Sequence, residues 1–129
     1  MATESDTVIL VDTNIFIEVF KGNPAVIATV QSVGPENLAL SAITAMELYY
    51  GALNRLELQR IRKNLRVFKI VHISNTISET ATRLIETYAK SHNLQIPDAL
   101  IAATALETHS ELMTLNVRDF RYINGLVLR

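Results

Sequence analysis

The chain has 129 residues, enough for one domain with a single continuous core; it is 49% hydrophobic without low-complexity stretches, so it reads as a folded protein. A formal net charge of −1 argues against gripping nucleic acid by bulk charge, and the absence of cysteine excludes disulfides and thiolate zinc sites, which suits a reducing cytosol. No window approaches ~18 uninterrupted apolar residues, and the opening MATESDT is polar and acidic where a secretory signal is basic and then apolar, so a cytoplasmic protein without a membrane segment is expected.

In chain order, TVILV is a β-branched apolar run that predicts a covered strand, and NIFIEVF has helical spacing at Ile15, Val19 and Phe20. Asp12 therefore falls at a strand-to-helix junction, where it or Thr13 is suited to cap the helix. NPAVIATVQSV predicts a helix with Pro24 in its first turn and Gly34-Pro35 at its end. NLALSA is a short second strand. TAMELYYGALNRLELQRIRKNLRVF predicts two helices meeting near Gly51 and Asn54, and KIVHI a third strand. TISETATRLIETYAKSH is an amphipathic helix with Thr76 and Glu79 at capping-box spacing, and PDALIAATALETH is apolar nearly all round, hence a buried helix. ELMTL and GLVL are the last expected strands, separated by NVRDFRYIN. Without linker or repeat, this alternation predicts a single α/β sandwich over residues 1–129 with a mainly parallel sheet.

In such a fold, ligands gather beyond the C-terminal strand ends, where the helices begin. Asp12 ends the first strand, Glu47 follows the second, Asp98 lies in the first turn of the buried helix and Asp119 follows ELMTL, so all four acids are expected at one edge. Each has a structural excuse: Thr44 and Glu47 have capping-box spacing, Asp98 follows Pro97, and Asn116 with Asp119 can cap a short turn. Together they repel, since two like charges about 4 Å apart cost roughly 4 kcal/mol at an effective dielectric near 20, against about 1 kcal/mol returned by a capping bond. A cation among them resolves the conflict, and oxygen donors without thiolate or paired imidazole suit Mg²⁺ or Mn²⁺. His72, His92 and His109 are widely spaced and match no zinc pattern, so each reads as a surface or core residue. No His or Lys is placed by the sequence near the acidic blocks as an obvious general base.

Arg55, Arg60, Arg62, Lys63, Arg66 and Lys69 form a local basic face opposed by only one acid, Glu57. The face suits either a solvated helix or contact with a polyanion. Two divalent ions among the four acids would turn the formal net charge from −1 to +3, which favours a polyanion such as RNA. Metal beside a positive wall fits phosphodiester hydrolysis.

The blocks VDTNIFIEVFKGNP, SAITAMELYYGA, IPDALIAATAL and TLNVRDF resemble, in order and spacing, the signature blocks of PIN-domain ribonucleases, most closely VapC-type toxins of toxin-antitoxin systems. The resemblance covers essentially the whole chain. It implies a three-layer α/β/α sandwich and a Mg²⁺- or Mn²⁺-dependent endoribonuclease whose acidic site maps onto Asp12, Glu47, Asp98 and Asp119. By the same match Thr13 and Asn14 are the polar neighbours of the first acid, and Thr114 and Asn116 the polar pair before the last; Asn116 stands where many members carry a further acid. The resemblance also implies a homodimer and a small VapB-like antitoxin, for which Met46, Leu48, Tyr49, Leu53 and Leu56 are candidate contacts.

Two rival readings differ from this one in what they do with the acids. A receiver-type phosphoryl-transfer domain would use Asp12 as a phosphorylated aspartate, but the strand ends offer Thr114 and Asn116, with no Lys after residue 90. A catalytically silent PIN-like module would bind RNA or a partner without cutting, which leaves the clustered acids without a purpose. Glycine-rich phosphate loops are absent, which excludes P-loop and dinucleotide-binding readings.

Overall fold

The computed structural model describes residues 8–129; the MATESDT opening, from which the lack of a signal was expected, lies outside the described residues. Four strands, β1 (Ile9–Val11), β2 (Leu38–Ser41), β3 (Lys69–Val71) and β4 (Glu111–Met113), pair in the order β3-β2-β1-β4, all parallel. The crossovers are made by six helices among the described residues: α1 (Thr13–Phe20), α2 (Pro24–Val33), α3 (Ala42–Tyr50), α4 (Arg55–Leu65), α5 (Asn75–His92) and α6 (Ile96–Glu107).

The period of two along a strand divides the core. Leu10, Ala39 and Leu112 face one layer, where they pack with α5 and α6 through Ile77, Ala81, Leu84, Ile101 and Ala102. Ile9, Val11, Leu38, Leu40 and Met113 face the other, against Ile15, Phe16, Val30, Leu48, Ile61 and Leu65 of α1 to α4. This is the expected three-layer α/β/α sandwich. The buried helix is α6, whose Ala99, Ala102, Ala103 and Ala105 are fully buried and let it lie close to the sheet and to α5.

Three expectations need correction. GLVL is not a strand: Leu128 makes a single parallel bridge to Leu112, with Leu112 N–H donating to Val127 O at 2.9 Å. Thr76 and Glu79 do not open α5; Ser74, in extended conformation at φ −88° and ψ 171°, is the cap and accepts from Ile77 N–H at 3.1 Å. Thr44 likewise lies inside α3, whose cap is Ser41, accepting from Ile43 N–H at 3.2 Å. In both helices the cap is a serine that leaves the strand geometry just before the first turn, upstream of the Thr-x-x-Glu pattern.

The cap assignment at α5 has a direct check. Ser74→Ala lowers unfolding free energy by about 1 kcal/mol in chemical denaturation, whereas Thr76→Ala, exposed within the first turn, changes it by less than about 0.5 kcal/mol.

Candidate active site

β1 is an inner strand with β2 and β4 on either side, so the residue that follows it is held firmly. Asp12 extends the ladder by one bond, its N–H donating to Met113 O at 2.9 Å, and is only 4% exposed. Its Oδ1 accepts from Thr13 N–H and its Oδ2 from the Thr114 hydroxyl, both at 2.8 Å. The capping role at α1 and the site role thus fall on one side chain. Thr114, itself buried, also accepts from Asn116 N–H at 2.9 Å, and Asn14 Oδ1 lies 3.5 Å from the Leu115 N–H it accepts.

Glu47 stands on α3, one helical turn from Thr44. Thr13 Oγ1 lies 2.8 Å from Glu47 Oε1 and 3.0 Å from Thr44 Oγ1. The Thr13 hydroxyl thus has two acceptors within reach of its single hydrogen, Glu47 Oε1 the nearer and the Oγ1 of the fully buried Thr44 the second. Thr44 is therefore an anchor in this chain of hydroxyls. Asp98 occupies the first turn of α6, whose positive dipole end favours a carboxylate. Asp119 is exposed and closes a 3-10 turn, Val117–Asp119; the Asn116 side chain makes no cap bond there, although its backbone O accepts from Asp119 N–H at 3.0 Å.

The four acids share one field. Burial, the largest cause, raises the Asp12 pKa against the lowering by Thr114 and Thr13, and Glu47 and Asp119 raise it further. Asp98 is pushed up to about 6, first by burial and then by Asp12, Asp119 and Glu47. Burial also raises Tyr122, with Asp98 and Asp119 adding to it. Among the described residues no three His, Cys, Asp or Glu side chains converge as a finished metal cage. The donor set is nevertheless all oxygen and mutually repelling, which suits a hydrated hard cation such as Mg²⁺ that takes few carboxylates and keeps waters.

Two hollows flank these acids. One, of about 440 Å³, has Asp98 and Asp119 in its wall together with His92, Arg118, Arg121 and Tyr122. His92, expected as a surface or core residue, is exposed and lines this hollow with Asp98 and Asp119. The other, a groove of about 890 Å³ between α1, α3 and α4, is lined by Glu47, Phe16, Ile17, Phe20, Leu53 and Val67 and includes Arg60. Of the expected RNA-contact residues, only Arg60 lines this groove; Arg55, Arg62, Lys63 and Arg66 are exposed but line neither hollow. The arginines beside the acids, Arg118 and Arg121, were not singled out by the sequence reading. Their one signal was their placement around Asp119 in VRDFRY.

The PIN-domain family model matches residues 9–126. A protein named ribonuclease VapC10 from Mycobacterium tuberculosis is 32% identical over 116 residues, covering 87% of this chain and 85% of the relative. Among solved structures, a chain of a toxin-antitoxin complex from Klebsiella pneumoniae superposes with a TM-score of 0.79 at 39% identity, covering 92% of this chain and 95% of that one. A chain of VapBC-1 from nontypeable Haemophilus influenzae gives 0.80 at 26% identity, covering 95% and 97%.

The raised carboxyl pKa fixes the sign of a stability effect. Folding favours the protonated form of Asp98, so its contribution is full below pH about 4 and is lost as pH rises through about 6. In EDTA at pH 7.5, Asp98→Asn raises the thermal midpoint by a few degrees, and the gain vanishes at pH 4; calorimetry at the two pH values checks this.

Proposed function

The chain belongs to the PIN-domain family, among its VapC-type members, and from that premise we propose that it is a divalent-metal-dependent endoribonuclease, the toxin of a toxin-antitoxin pair. Its cutting of RNA inhibits translation or growth until an antitoxin covers the site. The observation that supports this reading is that Asp12, Asp119 and Glu47, each from a different part of the fold, all raise the pKa of the half-buried Asp98, although no three of these acids close into a metal cage.

Asp12 and Asp98 would hold Mg²⁺ or Mn²⁺, with Glu47 bound directly or through water and Asp119 holding a second ion or orienting the attacking water. The metal supplies positive charge that polarises the phosphodiester and lowers the pKa of that water. The protein's own residues fix the donors in advance. Thr114 and Thr13 N–H occupy one lone pair on each Asp12 oxygen, which sets the carboxylate plane and leaves the remaining lone pairs for a cation. The Thr13 hydroxyl does the same for Glu47 Oε1 and leaves Oε2 free. Water oxygen bonds to phosphorus, the bond from phosphorus to the 3′ oxygen breaks, and a proton goes to that oxygen, giving 5′-phosphate and 3′-hydroxyl ends.

The groove between α1, α3 and α4 supports the antitoxin partner. Ile17, Phe20, Leu53 and Val67 remain 37–85% exposed along it and Glu47 is in its wall, so an apolar helix laid in it would lie against that acid. Of the expected contacts, Leu48 is buried and Tyr49 half-buried, while Met46, Leu53 and Leu56 stay exposed for the antitoxin or for a second copy in a homodimer.

In Mg²⁺, wild-type protein cleaves single-stranded RNA and Asp98→Asn loses at least about 100-fold in rate, as read by mapped RNA ends. RNA bound by wild type but left intact would instead support the silent binding module. Thr13→Val, which keeps shape but removes the hydroxyl that orients Glu47, lowers cleavage about 10- to 100-fold without changing the circular dichroism spectrum.

A further inference from the structure

The 440 Å³ hollow beside Asp98 and Asp119 has a chemistry that the carboxylates do not explain. Its volume is that of a small-ligand pocket. One wall is aromatic: the rings of His92 and Tyr122 stack with centroids 4.1 Å apart and planes 10° from parallel, and Tyr88 packs edge-on against both, at 5.8 Å and 5.1 Å. The pair is braced from outside. Ser91 Oγ lies 2.7 Å from His92 Nδ1, and the Tyr88 hydroxyl accepts from Asn124 N–H at 3.1 Å. An exposed histidine held flat on a tyrosine in this way is a rigid π-surface open to solvent.

The opposite charge is also present. Arg118 and Arg121 line the same hollow, are exposed, and make no ion pair among the described residues, although Asp98 and Asp119 are in the same wall. Asn93 and Gln95 complete it. Asn93 ends α5 in the left-handed conformation, at φ 57°, and Gln95 Nε2 donates to Asn93 Oδ1 at 3.0 Å. That bond uses one half of each amide, leaving the Gln95 carbonyl and the Asn93 NH₂ as an acceptor and a donor side by side.

A flat aromatic stack, two guanidinium groups and an amide pair, within one hollow that abuts the carboxylates, match the parts of one nucleotide. We propose that this hollow is a nucleotide subsite that seats one residue of single-stranded RNA next to the cleaved bond, its base stacked against the His92–Tyr122 pair and its phosphate paired with Arg118 and Arg121. The proposal rests on the ribonuclease reading for the identity of the polymer, but not for the chemistry of the pocket. Stacking is tolerant of base identity because every base has a π-face, whereas the Asn93–Gln95 pair can read a base edge. The divalent ion that the acids would hold would bind the reacting phosphate; this pocket, with Asp98 and Asp119 in its wall, sets where along the strand that phosphate falls.

Nucleoside 5′-monophosphates test this without cleavage. Titrated with Mg²⁺ into the full chain and followed by NMR, 5′-AMP shifts the His92 and Tyr122 ring signals and the Arg118 and Arg121 side-chain N–H signals saturably, and His92→Ala and Arg121→Ala each weaken it about tenfold. Ribose 5-phosphate, which lacks the base, binds about tenfold weaker than 5′-AMP. Equal affinity for the two, or unmoved ring signals with all four monophosphates, overturns the subsite. RNA cleavage assayed in parallel separates the two ideas: wild-type cutting with unchanged KM in His92→Ala and Arg121→Ala removes the subsite and keeps the nuclease. Ring shifts with 5′-AMP but no cutting by wild type keep the subsite and remove the nuclease.

Discussion

Everything at the C-terminal sheet edge depends on keeping a carboxylate, Asp12, almost completely out of water. Burial of an ionised group is costly unless its lone pairs are occupied, and here the fold supplies three bonds: Met113 O for the backbone N–H, and Thr13 N–H and the Thr114 hydroxyl for the side chain. Those bonds require β1 to be an inner strand with β4 beside it in register, because Thr114 follows β4 directly as Asp12 follows β1. They do not fully offset the burial, since the Asp12 pKa remains raised. Under the proposed metal-dependent reading, a bound cation would relieve that residual penalty.

The same economy runs through the rest of the site. Thr44, buried inside α3, has no cap to make, and its hydroxyl oxygen accepts from Thr13, whose hydroxyl also orients Glu47. The alanines of α6 let that helix pack close to the sheet and bring Asp98 into the field of the other acids. Positive charge is kept off the carboxylates themselves. Arg118 and Arg121 line the same hollow as Asp98 and Asp119 yet pair with neither.

Much of this was legible in the sequence because it depends on local pattern. β-branched runs, helical periodicity and the position of each acid just after a strand or in the first turn of a helix are short-range properties, and they placed Asp12, Glu47, Asp98 and Asp119 at one edge. The GLVL segment misled because an apolar run of four suits both a strand and a tail with one bridge, and only the single pairing of Leu128 with Leu112 decides between them. The capping boxes misled because Ser41 and Ser74 come earlier than the Thr-x-x-Glu pattern and win by backbone conformation. The aromatic and guanidinium pocket was invisible for another reason: His92 and Tyr122 meet only after α6 and β4 have folded between them, and no spacing encodes a stack across that distance.

The strand order has a consequence in time. β1 is made first but acquires its neighbour β4 only after β2, β3 and the long α5–α6 pair have been synthesised, and Asp119 comes later still. Domains form as their sequence emerges, so a growing chain holds Asp12 and Glu47 long before the other half of the site exists. The high contact order of that last β1–β4 pairing makes completion of the site a late event in folding. An enzyme that degrades RNA would thus remain harmless to the ribosome translating it while its chain is still short of residue 119.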